Sequence, residues 1–113
     1  MLPFNAMTEQ DYLAAARREL EGGAELRRVL SLLQDQEAHV SREVRNDVPL
    51  SRRAARAAEN LDLAVLCLDR RDDAQARFHL DRALTLLQSL DQDIAHQTRA
   101  TDQAENRRHF MSG

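Results

Sequence analysis

Lysine is missing from this chain of 113 residues: all 16 basic side chains are arginine. Tryptophan is absent too, and aromatics make up only 4% of the residues. A core must then be built from Leu, Val and Ala, which suits closely packed helices because Ala lets backbones approach and Leu fills the gaps. Strand formers are scarce, with one isoleucine and one tyrosine. Three glycines and two prolines are too few for the many turns of a sheet protein. Together these absences leave an all-α chain. The single cysteine, Cys67, excludes an intramolecular disulfide and suits a reducing compartment. No stretch approaches the roughly 20 apolar residues needed to span a bilayer, so no membrane association is expected. Met1–Met7 has neither a charged leader nor a long apolar run, and the expected location is the cytoplasm. A net charge of −3 provides no global attraction to nucleic acid or lipid.

What is present is helical periodicity. The length suits one domain, 1–113. Met1–Met7 reads as a short arm in which Pro3 discourages helix and Phe4 can tuck onto the bundle. Thr8 is a natural N-cap for a first helix over 8–21, with Tyr12, Leu13, Ala16 and Leu20 on one narrow stripe. Gly22-Gly23 breaks it. A second helix over 24–45 carries Leu26, Leu30, Leu33, Val40 and Val44 at 4-3 spacing, with Glu37 in the missing slot. Pro49 ends that segment, because the residue before proline avoids the α region. Ser51 reads as the cap of a third helix over 51–70. In that helix Ala54, Ala58, Leu61, Val65 and Leu68 form one row, and Ala57, Leu61, Ala64 and Leu68 an adjacent one. The stretch Leu61–Leu68 is apolar nearly all round, so it sits at the centre of the fold or meets another chain. After a polar turn at Asp69–Asp73, where Asp72 or Asp73 can cap, a fourth helix over 73–97 carries Ala76, Leu80, Ala83, Leu87, Leu90 and Ile94. The polar remainder, 98–113, reads as a solvated, fraying helix or disordered tail.

Short connections make neighbouring helices antiparallel, so a small antiparallel bundle of three or four helices is expected. Leu63–Leu87, with Ala64, Ala76, Leu80 and Ala83 at small-and-large spacing, resembles one tetratricopeptide helix pair, which implies a helical hairpin in the C-terminal half. That hairpin, ending in Leu87–Asp93, is also similar in helix length and Ala/Leu spacing to the small chaperones of flagellar and type III export. Val44–Leu61 resembles a DNA-reading helix-turn-helix, with Asn46–Leu50 as the turn.

Two surfaces stand out. Ser51, Arg52, Arg53 and Arg56 crowd the start of the third helix, where positive charge opposes the macrodipole. Arginine forks beside free backbone amides make a candidate site for phosphate, nucleic acid or an acidic partner. The second is an apolar candidate interface of Leu61, Val65, Leu66, Leu68, Leu80, Leu84, Leu87 and Ile94. A chain poor in aromatics has a motive to complete its core with a second copy. His39, His79, His96 and His109 contain no i, i+4 pair and no metal-binding signature, although His39 and Glu43 share a face. Cys67, among leucines, reads as a buried and inert thiol. No nucleophile–base–acid set or Gly-rich phosphate loop is evident, so neither catalysis nor a cofactor is expected. The expectation is a non-enzymatic protein–protein interaction module, self-associating as a homodimer, such as an adaptor, small chaperone or assembly subunit. The alternative is a nucleic-acid- or phosphate-binding regulator using the arginines of the third helix.

Overall fold

Four helices follow one another with turns of three or four residues: α1 (Glu9–Glu21), α2 (Leu26–Val44), α3 (Val48–Asp69) and α4 (Asp73–Met111). The structure, a computed structural model, describes the backbone of residues 9–23 and 25–111 and the side chains of 12–23 and 25–97. Thr8 and the 1–7 arm lie outside the described residues. Ion pairs fix the helix directions. Arg27, at the start of α2, lies 3.6 Å from Asp69 at the end of α3. Arg53 of α3 bonds Asp93 of α4, and Arg17 of α1 bonds Asp81 of α4. Consecutive helices therefore alternate up and down. α1 touches α2 and α4 but not α3, and α2 meets α4 across the diagonal. The result is an all-α antiparallel four-helix bundle.

The core follows the periodicity. Leu33, Leu80, Leu84, Leu87, Leu90, Val29 and Val40 are fully buried, and Ala16, Ala54, Ala57, Ala64, Ala76 and Ala83 let the helices approach one another. Of the two rows on α3, the structure buries Ala57, Leu61, Ala64 and Leu68 and leaves Ala58 and Val65 half-buried. Glu37, in the gap of the α2 stripe, is half-buried and accepts a hydrogen bond from Ser41 Oγ at 2.5 Å.

Three helix ends add to the sequence expectation or depart from it. α3 begins at Val48, not at Ser51. Asp47 is the cap, its extended backbone turning the chain and its carboxylate accepting from Leu50 N at 3.1 Å. Pro49 then sits in the first turn, where a missing N–H costs nothing. Second, α3 ends in a Schellman turn: Asp72 N donates to Cys67 O (2.8 Å) and Arg71 N to Leu68 O (3.1 Å). Arg71 holds the left-handed conformation, φ 60°, that this motif usually gives to glycine. Asp72 then caps α4, its Oδ1 accepting from Gln75 N. Third, α4 does not stop at Gln97 but continues helically to Met111, the helical of the two readings of the polar remainder. The apolar stripe ends at Ile94, yet no glycine or proline lies between Ala95 and Met111 to break the backbone. At 39 residues α4 is about 58 Å long. It raises the radius of gyration to 16.8 Å, above the about 13 Å of a compact domain of this length.

α1 is the shortest element and is joined to α4 by arginines. Arg17 donates to Asp81 Oδ1, Thr85 Oγ1 and Gln88 Oε1, and Arg77 of α4 donates to the carbonyl of Leu20. The last of these satisfies a carbonyl that the end of α1 leaves open. Gly22 N bonds Arg18 O, and Gly23 turns the chain with φ 78°.

Candidate functional site

The arginines that open α3 do not converge on a free anion position. Asp47 already engages the first turn, its carboxylate accepting from Leu50 N and its carbonyl from Ser51 N. Arg53 Nη1 turns back against α4, 3.0 Å from Ser89 Oγ and 2.5 Å from Asp93 Oδ2. Ser51 is half-buried inside the helix. Arg52 and Arg56 are exposed, and neither side chain has a hydrogen-bond or ion-pair partner among the described residues. Of the four residues expected to form a site, Arg53 is thus held by an acid of α4, and Arg52 and Arg56 remain on the surface. The helix-turn-helix likeness fails on geometry as well. That motif crosses its helices at about 90–120°, whereas the Arg27–Asp69 pair shows α2 and α3 side by side along their length.

The expected apolar interface is corrected too. Leu61, Leu68, Leu80, Leu84 and Leu87 are in the protomer's own core, between 0% and 9% exposed. Val65 and Ile94 are half-buried against it. Only Leu66 faces outward, at 51%. Four helices bury these leucines without a second chain, because α2 and α4 meet across the bundle and close it.

A different surface emerges on the outer face of the α3–α4 hairpin. Leu63 and Leu66, one turn apart on α3, are 43% and 51% exposed, and Phe78 on α4 is 50% exposed. Beside them lies an open groove of about 550 Å³ lined by Arg56, Glu59 and Asn60 of α3 and by Asp81, Arg82 and Thr85 of α4, with Leu86 half-buried in it. Asn60 Oδ1 lies 3.2 Å from His79 Nδ1, tying the two helices together at this point. The guanidinium of Arg82 stacks over the Phe78 ring, 5.6 Å from its centroid. No acid pairs with Arg56 or Arg82 among the described residues, whereas Asp81 is bonded to Arg17.

Arg82, Asn60 and Thr85 were not singled out from the sequence. The one local signal was the i, i+4 spacing of Phe78 and Arg82, which places ring and cation on one helix face. The meeting of Arg56 with Arg82 depends on helix register and has no local signal.

No protein-family model, curated protein or solved structure matches this chain.

Other features are structural. His39 Nε2 lies 3.1 Å from Glu43 Oε1 within α2. No group of three metal-ligating side chains occurs among the described residues. Cys67 is half-buried rather than fully enclosed. No described helix is long and apolar enough to cross a membrane.

Proposed function

We propose that this chain is a non-enzymatic helical interaction module whose working surface is the outer face of the α3–α4 hairpin. The observation that carries the reading is the pair Leu63 and Leu66. They are exposed one turn apart on a helix whose core row is already satisfied within the protomer. Complete burial of a leucine contributes about 1.5–3 kcal/mol, and about half of that is left for a partner to collect at each of these half-exposed positions. A groove with unpaired arginines directly beside them adds polar selectivity. The adaptor and small-chaperone roles share this requirement for an outward apolar strip. Against the nucleic-acid alternative, Arg53 is engaged by Asp93 and the first-turn amides of α3 by Asp47.

A photo-crosslinking side chain at position 66, with Ala38 on the exposed face of α2 as control, tests this in native cells. A discrete adduct at 66 and none at 38 is the expected result. Equal labelling or none at both positions removes the reading. The mass of the adduct separates partners: twice 12.9 kDa means a second copy of this chain, and any other mass a different protein.

A further inference from the structure

From the groove we infer the chemistry of the partner: an acidic amphipathic helix, with carboxylates at Arg56 and Arg82 and apolar side chains against Leu63, Leu66 and Phe78. The inference rests on the interaction reading above and deepens it.

Helix register places these features in one line. Asn60 and His79 are opposite each other, and α3 and α4 are antiparallel. From that point α3 runs through Leu63 and Leu66 toward the Arg70–Asp72 turn, and α4 runs back from that turn through Phe78 to Arg82. One end of the hairpin face is therefore apolar, and the other end carries Arg56 and Arg82. On α3, Arg56 and Leu63 are seven residues apart, about 10 Å along the axis. A partner helix lying along the hairpin needs its carboxylates about two turns from its apolar residues.

Charge selects the sign of the partner. Two acids line the groove. Asp81 is bonded to Arg17, and its charge is thereby matched. Glu59 is set against Arg56 and Arg82, so the rim keeps net positive charge. Both guanidiniums have donors to spare, and planar donor forks match carboxylates in paired geometry. Asn60 is engaged by Arg56 O and His79, while Thr85 Oγ1 accepts from Arg17 and keeps its hydroxyl proton to donate in the same groove. The stacking on Phe78 holds Arg82 in place and lowers the entropy lost when it binds. Acidic residues in the first turn of the partner also complement its own macrodipole, which sets the orientation: acidic N-terminus at Arg56 and Arg82, apolar turn toward Phe78.

The test uses the full chain and two fluorescent, capped, Ala-rich helical peptides. One has glutamates in its first turn and two leucines two turns later; its twin has lysines in place of the glutamates. Anisotropy titrations are run at low and high salt. The glutamate peptide binds the wild type, more weakly as salt rises, and the lysine twin does not. Arg56→Glu and Arg82→Glu each weaken the glutamate peptide by about tenfold or more, which is about 1.4 kcal/mol. The double variant gains the lysine twin. Both arginines are exposed, and circular dichroism verifies that the variants keep their helix. Equal binding of both peptides, no binding of the glutamate peptide, or its retention by the double variant overturns the acidic assignment. Photo-crosslinking at position 66 separates the two failures. If adducts persist in the charge-reversed variant at wild-type yield, the interaction reading stands and the acidic partner falls. If no adduct forms in any variant, both fall.

Discussion

Arg53 of α3 reaches Asp93 of α4, 40 residues on, and draws in Ser89 on the same turn. An arginine that looked free for an external anion is thus part of the seam joining the two longest helices. Its side chain is 31% exposed and that of Asp93 48%, so solvent screens the pair. Arg53→Ala and Asp93→Ala are each expected to cost about 0.5–1 kcal/mol in urea unfolding. The double variant should cost less than their sum. Additive losses would show that the two side chains do not interact in solution.

Asp47, and not Ser51, caps α3. Asp47→Ala should lower stability by about 1 kcal/mol. Ser51→Ala, one turn inside the helix, should change it by less than about 0.5 kcal/mol. Chemical denaturation of both variants decides the assignment, and reversed magnitudes would move the cap to Ser51.

Leu84 is fully buried between helices, and Leu66 is half exposed. Leu84→Ala is expected to cost about 2–5 kcal/mol. Leu66→Ser should leave the melting transition nearly unchanged, within about 0.5 kcal/mol. Calorimetry at several protein concentrations checks both. A large, concentration-dependent loss at Leu66 would show that this side chain is covered by a second copy in the resting protein.

Arg71 occupies a left-handed position without the freedom of glycine. Arg71→Gly should stabilise the fold by up to about 1 kcal/mol, through relief of the crowding of Cβ against its own backbone. Gly23→Ala should do the reverse by a similar amount, since its φ of 78° strains any L side chain even with nothing within 4 Å of the new methyl. Thermal melts of the two variants should therefore move in opposite directions.

Most of the fold was legible because the 4-3 rows of α2, α3 and α4 describe helix faces, and burial followed them at Leu33, Leu61, Leu80 and Leu87. The cap of α3 was misplaced because a proline in the first turn looks, in sequence, like the end of the preceding loop. The end of α4 stayed open between helix and disorder because apolar periodicity reports packing, while a backbone without breakers can stay helical beyond its last packed residue. The site was less legible. The stretch Leu61–Leu68 did contain outward residues, but periodicity did not separate Leu63 and Leu66 from the leucines that the bundle keeps for itself. The fate of Arg53 depended on an acid 40 residues away, and the groove on which faces of α3 and α4 come into register.

α1, the shortest helix, leans on α2 and α4, and its polar seam hangs largely on the three bonds of Arg17. The other three helices meet one another pairwise without it. Native-state hydrogen exchange would accordingly be graded, with the amides of α1 opening as one cooperative unit while α3 and α4 stay protected. Such an opening lays bare core leucines on the side of α4 away from the Leu63–Leu66 strip. The protein then has a dormant sticky face, kept shut by an arginine clasp, whose exposure sets how readily the chain aggregates when warmed.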